Sequence, residues 1–323
     1  MNIGIIGAGS IADTVAQTLT KMPEVSCYAI AARDLARAEA FRNKHGFKKA
    51  YGSYEEMLVD ENVEFVYIAT PHSHHAEHMR MCIRHKKPML CEKAFTVNAG
   101  EARAVLQEAE DAGVFCAEAI WPRYMPSRKL LADLLNSNTI GRVSALHANL
   151  FYPVYARPRI TDSALCGGAL LDMGIYPLNF SVMCFGEDIE RIESSCVKTE
   201  SGVDAMNNVT LFYRDGRMAL NASGMFARSD RQGVILGEHG YILVDNVNNP
   251  AVITCYDTSD KVIKTVHVPP MLSGYEYEFR ECIDSVQKGL LEPSSMPHRD
   301  TIFMMELMDT CRKQWKLVYP MEK

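Results

Sequence analysis

Met1-Asn2-Ile3-Gly4-Ile5-Ile6-Gly7-Ala8-Gly9-Ser10-Ile11-Ala12 opens the chain. An apolar strand runs straight into G-x-G-x-x-A, a form of the dinucleotide-binding fingerprint. Gly7 allows the tight turn, and Gly9 lets the backbone come close to a pyrophosphate. Ala12 is small enough for the following helix to lie against the strand. That helix, expected over 13–21, begins where Ser10, Ile11 and Ala12 present unpaired N–H groups and the positive end of its dipole. Glycines cluster in many turns, so the motif alone is weak. The strand before it and the helix after it favour a nucleotide site over a bland turn.

Outward from that turn, the first third of the chain alternates strand and helix. Strands are expected at 26–32, 65–69, 88–91 and 114–117, with helices at 35–44, 74–85 and 98–113. Ser53 with Glu56, and Asn98 with Glu101, have the spacing of capping boxes. Phe65-Val66-Tyr67-Ile68-Ala69 is a continuous apolar run, as in a strand buried on both faces. Alternation of this kind predicts right-handed crossovers and a doubly wound parallel sheet over residues 1–120.

Past Trp121-Pro122 the pattern changes. A helix at 126–135, an extended stretch at 143–154 and a helix at 171–184 precede period-2 runs from 189 to 268. Asp215-Gly216 reads as a hairpin turn and Glu238-His239-Gly240 as another turn. Residues 121–323 therefore read as an α+β substrate-binding domain on a mostly antiparallel, open-faced sheet. Its last two helices, about 275–288 and 299–316, are free to pack back on the first domain.

Composition limits the function classes. A net charge of −6 argues against a nucleic-acid partner. The ten cysteines are scattered without a C-x-x-C pair, which reads as reduced thiols of a cytoplasmic protein. No apolar run approaches the roughly 18 residues of a membrane span, and no leader is evident before the first strand. The expectation is a cytoplasmic protein that acts on a small molecule.

The cofactor is read at the end of the second strand, Ala31-Ala32-Arg33-Asp34. An acid here would bind the ribose hydroxyls of NAD. Alanines occupy those positions, and the Arg33 guanidinium suits a 2′-phosphate. NADP is expected, with NAD as the lesser option; the competing reading is a surface pair between Arg33 and Asp34.

Met89-Leu90-Cys91 delivers Glu92-Lys93 to the carboxyl edge of the sheet, where ligands bind in open α/β folds. Lys93 there can hydrogen-bond a substrate oxygen and stabilise charge as hydride leaves. A solvated strand-end lysine is the plain alternative. His72, His74, His75 and His78 crowd one segment, but spacing indicates no third metal ligand, so no metal is expected. Cys91 reads as inert core. Trp121, Arg123 and Phe151 are candidates for lining the substrate pocket, although domain packing explains Trp121 almost as well.

These segments resemble the Gfo/Idh/MocA oxidoreductases. Leu90-Cys91-Glu92-Lys93-Ala94 is similar to their Glu-Lys-Pro segment. Ala69-Thr70-Pro71-His72 with His75 resembles their loop by the nicotinamide. Gly167-Gly168-Ala169-Leu170-Leu171-Asp172-Met173-Gly174-Ile175-Tyr176 is similar to their second-domain active-site helix. Glu118-Ala119-Ile120-Trp121 and Tyr176 resemble the dihydrodiol dehydrogenase branch.

The resemblance implies Lys93 as the catalytic lysine and Tyr176 as the acid/base where most members carry histidine. Asp172 would position the substrate or its proton donor. A free phenol titrates near about 10, and an ammonium and a cationic nicotinamide beside Tyr176 would both favour phenolate. On an α-helix Asp172 and Tyr176 would share a face; a core aromatic is the alternative for Tyr176. Where the family has proline this chain has Ala94, and a cis bond before alanine costs about 3 kcal/mol.

The resemblance further implies Thr70, Pro71, His72, His75 and Glu92 at the cofactor, and a homodimer or dimer of dimers. The resulting expectation is an NADP-dependent oxidoreductase acting on a secondary alcohol or ketone, a cyclic trans-diol or a sugar. Two rivals are an NAD-dependent glycosidase with no net redox change and a non-catalytic NADPH sensor. Product analysis without added cofactor separates the first. The sensor does not need Lys93 and Tyr176 together.

Overall fold

In the computed structural model, which describes residues 1–323, the first 119 residues alternate strand and helix. They run β1 (Asn2–Ile6), α1 (Ser10–Leu19), β2 (Ser26–Ala31), α2 (Leu35–His45), β3 (Lys49–Tyr51) and α3 (Tyr54–Leu58). β4 (Phe65–Ile68), α4 (His75–Arg84), β5 (Met89–Glu92), α5 (Ala99–Asp111) and β6 (Cys116–Ala119) follow. The six strands pair in parallel in the order β3-β2-β1-β4-β5-β6. Every residue of β4, β5 and β6 is buried, because helices cover both faces. α1 turns Ala12, Val15, Ala16 and Leu19 to the sheet, and α5 does so with Ala102, Val105, Leu106 and Ala109. The strand order reverses beside β1, which opens the ligand crevice of such sheets.

Local chemistry explains where these elements start. Ser53 Oγ accepts from Glu56 N–H at 3.2 Å, and Asn98 Oδ1 accepts from Glu101 N–H at 2.9 Å. Glu101 Oε2 reaches back and accepts from Val97 N–H at 3.2 Å. α1 begins at Ser10, three residues earlier than expected, because Gly9 is already its N-cap. β3 was not foreseen: three residues are too few to show a period. The 74–85 helix is a 3₁₀ turn over His72–His74 followed by α4.

The second unit runs α6 (Pro126–Asn136), β7 (Val143–Phe151), the single turn α7 (Pro158–Thr161), a π turn (Leu170–Gly174) and α8 (Ile175–Phe185). Strands β8 (Ile189–Lys198), β9 (Asp204–Tyr213), β10 (Met218–Gly224), β11 (Gly233–Gly237), β12 (Gly240–Val244), β13 (Val252–Asp257) and β14 (Val262–His267) complete it. The sheet order is β14-β13-β12-β11-β7-β10-β9-β8, antiparallel except for β7 beside β10. One face buries Leu146, Leu150, Val209, Leu211 and Ala219 under α8 and the π turn, with Ile235 and Ile253 buried farther along the sheet. The other leaves Val197 and Leu220 exposed. Asp215-Gly216 and Glu238-His239 turn the β9–β10 and β11–β12 hairpins.

Two expectations change here. The 171–184 segment is not one α-helix: its first turn is π-helical and carries Asp172, so α-helical spacing does not describe Asp172 and Tyr176. Ser163–Phe185 is also long and apolar enough by composition to cross a membrane, which the sequence reading missed because Asp172 divides the apolar run. Of its most apolar window 78% is buried inside the structure, where it forms the core helix over the sheet.

After the sheet come α9 (Tyr275–Gln287) and α10 (His298–Trp315). Met271–Met305 groups with Met1–Tyr124 as one compact unit, and Glu306–Lys323 with Met125–Pro270 as the other.

Candidate active site

Gly7 sits at φ +99°, and its N–H donates to Ala31 O at 2.9 Å. A Cβ there would also lie 2.9 Å from Ala69 O, so the turn after β1 admits only glycine. At Gly9 a Cβ would meet nothing nearer than Ala69 O at 3.9 Å. No side chain caps α1, so its first N–H groups remain for an acceptor from outside the chain. An uncapped helix start behind an uncrowded glycine fits a dinucleotide pyrophosphate held by Gly9, Ser10, Ile11 and Ala12.

Beyond buried Ala31 and Ala32, Arg33 is exposed. Asp34 does not pair with it; its carboxylate caps α2 by accepting from Ala36 N–H at 2.9 Å. One turn on, Arg37 Nη2 donates to Ala8 O in the glycine turn at 3.2 Å. Burial raises the pKa of the Tyr54 hydroxyl, and both guanidinium charges oppose that rise. Arg37 was missed in the sequence, although its i, i+4 relation to Arg33 was visible there.

The loop after β4 carries Thr70, Pro71 and His72. His75 is fully buried with Nε2 2.8 Å from Thr70 O and Nδ1 2.9 Å from Ala94 O. Its ring thus ties this loop to the segment after β5. The His72 ring meets it edge-on at 5.7 Å. Thr70 Oγ1 lies 2.9 Å from Nδ1 of His78, whose pKa burial pushes down to about 4. His75 and His78 are hydrogen-bonded, and His74 meets the His78 ring at 5.8 Å; no three His, Cys, Asp or Glu side chains converge as a metal site.

Glu92, buried at the end of β5, accepts from the Tyr67 hydroxyl through Oε1 and from Lys93 N–H through Oε2 at 3.1 Å. The Lys93–Ala94 peptide is cis, with alanine where the family has proline. Lys93 itself is half-buried. Behind this pair the Tyr67 ring packs on Phe279 of α9 at 5.3 Å. Neighbouring Glu278 is fully buried, and burial with the charge of Glu92 raises its pKa well above the usual carboxyl range. Neither the Glu278 acid nor the Tyr67 hydroxyl carries a sequence signal. Burial likewise pushes the Cys91 thiol far up, which makes it inert.

Trp121 stacks on Tyr275 at 4.5 Å and 12°. Arg123 is buried, with Nη1 donating to Asp300 at 2.7 Å.

In the second unit, Asp172 accepts from Arg159 Nη2 at 3.0 Å, a partner that no spacing announced. Tyr176 stands in the first turn of α8 and is 8% exposed. Phe151 ends β7 with its ring across Gly224, where a Cβ would come within 2.6 Å.

A parallel sheet in this order, with a glycine turn after β1, is the architecture of a dinucleotide-binding domain. The chain belongs to the Gfo/Idh/MocA oxidoreductase family. The family's NAD-binding Rossmann-fold oxidoreductase domain matches residues 1–119, and its C-terminal domain matches residues 129–243. It is thus an NAD(P)-dependent enzyme of the dehydrogenase/reductase kind.

Trans-1,2-dihydrobenzene-1,2-diol dehydrogenase from Danio rerio is 34% identical, with 98% of this chain and 97% of that protein covered. The Homo sapiens protein of the same name is 32% identical over 99% and 98%. A 3-ketoreductase from Actinomadura kijaniata, solved with TDP-benzene and NADP, superposes with a TM-score of 0.86 at 25% identity over 97% and 96%. A levoglucosan dehydrogenase solved with NADH shares the fold at TM-score 0.86 and 17% identity over 98% and 97%.

Proposed function

We propose that this protein uses NADP to transfer hydride to or from a secondary alcohol or ketone, a cyclic trans-diol or a sugar. The observation that carries this reading is the placement of Lys93. It stands half-buried at the carboxyl end of β5, with its backbone N–H held by Glu92. Nicotinamide, when bound, supplies the hydride chemistry.

Lys93 hydrogen-bonds the substrate oxygen and stabilises the negative charge that develops on it. Tyr176 accepts the hydroxyl proton in oxidation and returns it in reduction. Asp172, paired with Arg159, orients substrate or donor. Thr70, Pro71, His72 and His75 form the nicotinamide side, while Gly7 to Ala12 hold the pyrophosphate. Trp121 and Phe151 face the substrate side, while Arg123 pairs with Asp300.

Arg33 and Arg37, with no acid at the end of β2, support NADP over NAD. The dihydrodiol dehydrogenases support a cyclic trans-diol, and the 3-ketoreductase supports a sugar. The exposed face of the eight-stranded sheet is the surface proposed for a homodimer or dimer of dimers, and the cytoplasm is the proposed compartment.

The test is a spectrophotometric panel of trans-diols, polyols and sugars with NADP and with NAD. Turnover of at least one with a higher specificity constant for NADP is expected. Equal constants overturn the cofactor assignment. Bond cleavage with no net change in nicotinamide overturns the redox assignment.

A further inference from the structure

Polar side chains lie on the inner face of the second sheet, beneath the π turn. Asp204, the first residue of β9, is fully buried. Its Oδ2 accepts from Leu170 N–H at 2.8 Å and from Asn207 Nδ2 at 2.8 Å. Asn207 Oδ1 in turn accepts from Ser223 Oγ on β10 at 2.9 Å. Ser223 Oγ lies against Gly174, where a Cβ would come within 2.9 Å. At the near end Gly168 has φ +120°, and a Cβ there would collide with Asp204 Oδ1.

One connected set of groups therefore touches the turn before its start, at its first residue and at its last. π turns are rare, so one persists where its surroundings hold it. Burying a carboxylate is costly unless hydrogen bonds compensate. Here the compensating donors are the backbone of the turn and an amide fixed by the sheet.

We propose that Asp204, Asn207 and Ser223 form a register lock that holds Leu170–Gly174 in its π conformation and so sets where Asp172 and Tyr176 stand. They are positioning residues. Their effect on turnover rests on the catalytic reading of Asp172 and Tyr176; their effect on the turn does not.

Backbone hydrogen exchange and steady-state kinetics on full-length Asp204→Ala, Asn207→Ala and Asp204→Asn test it. In the alanine variants, exchange over 170–176 should rise about tenfold or more. kcat with an active diol or sugar should fall by about tenfold while the NADPH Kd stays unchanged. Asp204→Asn keeps an oxygen acceptor for Leu170 and should restore both.

Should Asp204→Ala not fold, Asn207→Ala, the milder cut, carries the test. Unchanged exchange over 170–176 in the folded alanine variants overturns the lock, as does an Asp204→Asn protein as loose as Asp204→Ala. A loosened turn with unchanged kcat leaves the lock standing and removes Asp172 and Tyr176 from the mechanism.

Discussion

Arg33 illustrates what single residues disclose. Two alanines and an arginine at the end of β2 pointed to a 2′-phosphate, and the structure removes the competing pair by placing Asp34 on the α2 cap. Arg37, which reaches Ala8 O, adds a second guanidinium. Replacing Arg33 or Arg37 by alanine is expected to weaken NADPH binding about tenfold to a hundredfold, the worth of a charged hydrogen bond. NADH binding should change little; fluorescence titration with both cofactors measures the difference. The place of Lys93, just past the end of β5, was legible because a strand end is a local feature. Tyr67, Arg159 and Glu278 were not, because each meets its site through a contact made by the fold and not by local spacing.

At the scale of elements, the helix caps were readable since their chemistry is local. Asn98→Ala should cost about 1 kcal/mol, the usual worth of an N-cap, seen as a lower urea midpoint at unchanged slope. The π turn was not readable. Periodicity over Leu170–Tyr176 is compatible with an ordinary helix, and what holds the wider turn is Asp204, more than thirty residues downstream. β3 escaped because three residues at a sheet edge show no alternation. The open-faced sheet was legible from period-2 runs and hairpin turns, whereas its order, with β7 parallel to β10, depends on long-range pairing.

For the whole molecule, buried acids set the pH dependence of stability. Burial pushes both Glu118 and Asp204 up to about 7. In the unfolded chain both titrate near about 4, so between these values the folded protein holds protons that the unfolded chain has released. Their contribution therefore falls as pH rises from about 4 to about 7 and is level above, a loss of a few kcal/mol for each acid. Glu118→Gln should flatten the slope between about pH 4 and about pH 7 in urea denaturation; a slope identical to wild type contradicts this.

The proposed function itself stands on Lys93. Lys93→Met, assayed with NADP and an active trans-diol or sugar, measures this most directly. The account predicts that kcat falls by about 10² to 10⁴, the range contributed by acid–base groups, while NADPH still binds. Wild-type turnover in that variant would contradict it.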